Sequence, residues 1–154
     1  MTDRSFFSDA EWAALSEAPL HVTTAVVAVG EHGPISLVKE ASATAKLLAQ
    51  PGDRGPATEL ITAIAVDARG HDARHAASGD RGGSPDDVVG RALHELAPVT
   101  AALAKLPLAE AAEVRAWLLD LAKAVGAAAK GTNPHEEATI ERIRVALGGP
   151  PAAS

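Results

Sequence analysis

Thirty-five of the 154 residues are alanine, against two tryptophans, two phenylalanines and no tyrosine, and this imbalance restricts the fold more than any other feature. Alanine is the best helix former because it loses no side-chain entropy in a helix, whereas strands draw on branched and aromatic residues. Small side chains also let helices approach one another closely. With 47% apolar and 22% charged residues, the chain has enough apolar material for a packed core. The expectation is an all-α, single-domain bundle of six or seven helices over 1–148, with a short frayed tail at 149–154.

Start and stop signals divide the chain. Ser8 and Glu11 form a capping box, Phe7 can staple onto Trp12, and Pro19 is expected to close the first helix. Residues 20–30 are ambiguous between strand and helix, since Val22, Val26, Val27 and Val29 favour strand by propensity. No other segment reads as a strand that could pair with it, so a central helix, apolar all round, is the reading adopted. Pro34 opens a helix to about Gln50 with Ile35, Val38, Ala41, Ala45 and Leu48 inward, and Pro56 opens a shorter one. Ser84-Pro85-Asp86-Asp87 caps another, which Pro98 should kink or interrupt. The sixth helix, about Ala109–Lys130, buries Val114, Trp117, Leu118, Leu121 and Val125 and keeps Glu110 off that stripe. Gly131 would cap it, and a capping box of Asn133 and Glu136 would start the last helix, through Leu147.

Between these helices, residues 69–84 shift to Gly, His, Asp, Arg and Ser, and read as one long polar loop. It holds the best candidate site: His71 and His75 are four apart, and Asp72 (or Asp67) is a third, oxygen ligand for a divalent metal such as zinc, nickel or copper. The competing reading is a solvated loop, in which helical spacing has no meaning. His94 and His21 fit boundary imidazoles better than catalysts. No Glu is followed three residues later by His, so the carboxylate-bridged di-iron pattern is absent.

Several functions are disfavoured by what the chain lacks. With no cysteine, disulfides, thiolate zinc sites and cysteine catalysis are excluded. A net charge of −6, scattered Arg and Lys and few aromatics disfavour nucleic acid. Ser84 is not in a nucleophile elbow, and Arg81-Gly82-Gly83-Ser84 is a poor phosphate cradle beside Asp80, Asp86 and Asp87. The first ten residues lack a signal-like apolar stretch, and the run Ala25–Val29 is far shorter than a membrane span. A cytoplasmic location with no membrane span is therefore expected, and the Arg-over-Lys bias resembles high-GC bacterial coding sequence.

The segment AKAVGAAAKGTNPHEEATIERIRVALG, from Ala122 to Gly148, resembles the helix–turn–helix unit of the tellurite-resistance TerB-like proteins. An alanine-rich helix ends at a small turn, and a capped helix carrying Glu136 follows. Phe7–Trp12, Gly33–Glu40 and Ala109–Ala124 are similar to small bacterial helical proteins with the same ending, so that about half of the chain is covered. TerB-like turns usually present an Asp-Gly pair that helps hold a metal, and here the pair is Lys130-Gly131. The resemblance implies a non-enzymatic helical stress protein that binds a protein partner, a second copy of itself or an ion. The alternative is a metalloprotein or metal-dependent enzyme built on His71, Asp72 and His75, with His94 as a further ligand.

Overall fold

The computed structural model describes residues 2–30, 34–78, 84–128 and 134–149, with the backbone alone at 34–38, 40 and 71–78. Among the described residues there are seven α-helices and no strand: α1 (Asp9–Val29), α2 (Pro34–Ala49), α3 (Thr58–Ser78), α4 (Pro85–Glu95), α5 (Ala97–Leu103), α6 (Leu108–Ala128) and α7 (Pro134–Ala146). The all-α bundle inferred from alanine content is the architecture observed.

α1 starts where the capping box places it. Ser8 Oγ accepts from the Glu11 amide at 3.2 Å, and Glu11 Oε2 accepts from the Ser8 amide at 2.8 Å. The Phe7 and Trp12 rings meet with centroids 6.1 Å apart, as the staple requires. Pro19 does not close the helix, and the ambiguous segment 20–30 is its second half. An interior proline costs about 3 kcal/mol relative to alanine. Against that, the part of α1 beyond Pro19 buries Val22 and Val26, with Ala25, at about 1.5–3 kcal/mol for each valine. Burial of that part is large enough to offset the proline. Thr23 adds a local tie, donating its hydroxyl to the Pro19 carbonyl at 2.9 Å. α1 packs against α3, α4, α5, α6 and α7, so the valine-rich stretch is central.

By length and composition α1 is also long and apolar enough to cross a bilayer, which a helix split at Pro19 is not. Half of that window is buried within the bundle.

Three further expectations are corrected. In α2, Ala41 and Ala45 are exposed, while Leu48 is buried and Leu47 and Thr44 are partly so. A methyl group buries too little area to orient a helix, and the leucines set which side meets α6 and α3. The helix opened by Pro56 is not short: a 3-10 turn, Gly55–Ala57, leads into the 21 residues of α3. The polar loop expected at 69–84 is helical as far as Ser78. Ala68, Ala73, Ala76 and Ala77, with Arg69 and Arg74, are strong helix formers through the polar stretch, and a single glycine, at roughly 1 kcal/mol relative to alanine, does not end the helix at Gly70. Residues 79–83 lie outside the described residues, as do Gly131, Asn133 and the tail 150–154.

The other punctuation is as read. Ser84 caps α4 in a box with Asp87, and the chain breaks at Leu96 so that Pro98 enters the first turn of α5. α7 ends in a Schellman turn: the Gly148 amide donates to the Val145 carbonyl and the Gly149 amide to the Arg144 carbonyl, both at 3.0 Å. Gly148 has φ +78°, and a Cβ there would lie 3.3 Å from Thr100 Cγ2. Gly148→Ala is expected to cost about 1–2 kcal/mol, read as a lower thermal midpoint with unchanged helical content.

Candidate functional site

The sequence-predicted metal ligands divide into described and undescribed groups. The backbone of α3 runs through His71, Asp72 and His75, but their side chains lie outside the described residues. Asp67 is described, and it is already engaged. Its Oδ2 accepts from the Trp12 indole Nε1 at 2.6 Å and stands 3.8 Å from Arg4 Nη1. His94 is exposed on α4, and His21 Nε2 sits 3.8 Å from Glu17 Oε2 on the next turn. Among the described residues no three His, Cys, Asp or Glu side chains converge on a metal-sized site.

Asp67 belongs to a dense polar and aromatic set around the start of α1. The Arg4 guanidinium lies 5.6 Å over the Trp12 ring, and Phe6 and Phe7 meet edge to face at 5.2 Å. Lys105 Nζ is 3.0 Å from both Glu11 carboxylate oxygens and 5.6 Å over the Phe6 ring. This set joins the N-terminal segment to α3 and to the α5–α6 connection. Sequence alone shows only the Phe7–Trp12 part, because Asp67 and Lys105 are 55 and 94 residues from their partners.

A second clasp is centred on Arg54. Its Nη1 donates to Asp120 Oδ2 at 2.7 Å, its Nε to the Pro51 carbonyl at 3.0 Å, and its amide to Thr58 Oγ1 at 2.8 Å. Gly52 and Gly55, at φ +82° and +55°, let the connection bend to bring the guanidinium onto α6. What reads in the sequence as a helix stop is thus a tether. At the end of α7, Arg115 Nε donates to the Leu147 carbonyl at 2.7 Å and Thr100 Oγ1 to the Ala146 carbonyl at 2.6 Å. These contacts satisfy helix-end carbonyls and hold helices together. None of them sets a nucleophile against a base.

Two acidic residues are buried contrary to their charge. Glu136, which the resemblance singles out, is 2% exposed and engaged within the protein. Glu110, expected off the stripe of α6, is 7% exposed, and its Oε2 has no hydrogen-bond partner among the described residues. It lies in the first turn of α6, where the helix dipole favours a carboxylate by about 0.3–1 kcal/mol. A buried, unpartnered polar atom costs about 1–3 kcal/mol, more when charged. Glu110→Met, which keeps the length of the side chain and removes the unpartnered oxygen, is therefore expected to raise stability by about 1 kcal/mol, measured by urea denaturation.

Three carboxylates are held below their ordinary range. In Glu11 the Ser8 amide hydrogen bond is the main cause, with Lys105 next. In Asp87 it is the Ser84 hydroxyl and then the Ser84 amide, and in Asp3 the Ser5 hydroxyl and then the Ser5 amide. Each group takes up protons more readily unfolded than folded, so stability rises with pH through its titration. The contribution is complete above about pH 5 and is lost as pH falls through the lowered folded-state values. The thermal midpoint should drop on acidification below about pH 4.5, and Glu11→Gln should flatten that slope.

A crevice beside Pro19, lined by Leu20, Thr23, Thr44, Leu48 and Ala68, has a volume of about 10 Å³, roughly that of one water. No protein-family model matches the chain, and comparison with curated proteins and with solved structures returns no match.

Proposed function

We propose that this chain is a non-enzymatic, cytoplasmic helical protein, similar to the TerB-like stress proteins, that acts by binding a protein partner or an ion. The observation that carries this reading is the single apolar core that the described helices share. Apolar side chains from all seven helices form one core, and the described crevice is water-sized. A substrate pocket ordinarily encloses about 300–1,000 Å³. On this reading recognition uses the outer faces of the helices. α2 offers such a face, with Ala41, Ser42, Ala45 and Ala49 exposed beside Lys39 and Lys46.

Light scattering across a concentration series tests the partner reading with a second copy as the probe. A mass that rises above one chain supports it, and a single-chain mass at near-millimolar concentration excludes the homodimer. Turnover of a small molecule, abolished by one substitution that leaves the fold intact, would overturn the non-enzymatic reading as a whole.

A further inference from the structure

Arg4 is held loosely at the start of α1, against a ring and a carboxylate that are themselves held firmly. We propose that the Trp12 ring and the Asp67 carboxylate form a recognition site for an arginine side chain of a protein partner, with Arg4 as the internal occupant that the partner's arginine displaces. This names the partner chemistry of the binding reading above and rests on it.

The two walls are fixed in relation to each other. The Trp12 indole donates to Asp67 Oδ2 at 2.6 Å, and the Phe7 ring lies against Trp12 at 6.1 Å, so ring and carboxylate are in place before any ligand arrives. An arginine suits both walls at once, because its planar cation stacks on an indole while its N–H fork meets a carboxylate. Arg4 shows that combination within the chain. Its guanidinium carbon is 5.6 Å from the Trp12 centroid, and its Nη1 is 3.8 Å from Asp67 Oδ2.

Arg4 uses the site incompletely. Its side chain is 65% exposed, and 3.8 Å is beyond hydrogen-bond reach, so the guanidinium donates no hydrogen bond among the described residues. Asp67 Oδ1 accepts none there either, and the Asp67 side chain is 38% exposed. The turn that carries the guanidinium, Arg4–Phe6, buries no residue, and the Ser5 and Phe6 amides both bond locally to Asp3. An arginine from outside can take the same ring face and add the hydrogen bonds to Oδ1 that Arg4 does not make. The net charge of −6 draws a cationic segment toward the chain.

Titration of the full chain with acetyl-arginine-amide provides the test, read by Trp12 fluorescence in the Trp117→Phe background. Saturable binding is expected in Arg4→Ala, about three- to tenfold tighter than in the chain that keeps Arg4, because the internal competitor is gone. Adding Asp67→Asn to Arg4→Ala should weaken binding about tenfold, while its amide oxygen still accepts from the Trp12 indole. The neutral isostere acetyl-citrulline-amide should not saturate. Equal affinity with and without Arg4, no saturable response in Arg4→Ala, undiminished binding with Asp67→Asn, or citrulline binding as well as arginine overturns the site. The Arg4 and citrulline arms leave Asp67 unchanged, so they decide the matter even if Asp67→Asn fails to fold. None of these results bears on the partner reading itself, which light scattering measures without added ligand.

Discussion

Trp117→Ala is expected to lower the unfolding free energy by about 3–5 kcal/mol, the range found when a large buried aromatic is truncated. Trp117 is 0% exposed on α6 and is the largest fully buried side chain of the core. A domain of this kind is held by about 5–15 kcal/mol in total, so one substitution removes a large share. The indole Nε1 has no hydrogen-bond partner among the described residues. Phenylalanine therefore keeps most of the apolar contact and removes an unsatisfied donor, and Trp117→Phe should cost about 1 kcal/mol or less. Chemical denaturation followed by circular dichroism separates the two variants. A loss under about 1 kcal/mol in the alanine variant would mean that α6 does not present this face to the core.

Asp67→Ala is expected to cost about 2–3 kcal/mol, although Asp67 is a half-exposed carboxylate at the rim of the bundle. The magnitude comes from what remains behind. Trp12 is buried, and without Oδ2 its indole N–H faces no acceptor at the 2.6 Å position. Arg4 also loses its nearest carboxylate, but an exposed ion pair contributes only about 0–1 kcal/mol, so the indole dominates. A double-mutant cycle with Trp12→Phe checks the attribution: removing the donor as well should recover about 1–2 kcal/mol of coupling. Additive losses would show that Asp67 acts through Arg4 alone. In a Trp117→Phe background, Trp12 is the sole indole, and its fluorescence reports the change of environment directly.

The two residues also mark what could be read from the chain. Trp117 was legible because the apolar stripe of α6 repeats every three or four residues over about four turns, and that periodicity needs no knowledge of neighbours. The capping box at Ser8 and the cap at Ser84 were legible for the same reason, since the partners lie within four residues. Asp67 and Glu110 were not. A carboxylate reads as solvent-facing unless its surroundings are known, and those surroundings come from helices tens of residues away. Pro19 misled in a related way. Its local cost is fixed by its ring, but whether the helix absorbs that cost depends on how much of α1 the other helices cover.

The candidate metal residues fall between these cases. Their spacing was visible from the start, yet spacing becomes geometry only where the backbone is helical, and α3 extends through His71 and His75. Alanine at 73, 76 and 77 was the available signal, outweighed in the reading by Gly70 and by the polarity of the stretch.

Local chemistry in the sequence therefore determined that the chain is helical, where most helices begin, and which residues of α6 turn inward, because propensity, capping and periodicity act over one or two turns. The tertiary structure alone decided that α1 passes through Pro19, that leucine rather than alanine orients α2, and that Arg54 and Asp67 serve as ties between helices. Those outcomes depend on burial and pairing across long stretches of chain, which are energies of the assembled bundle and of no single segment.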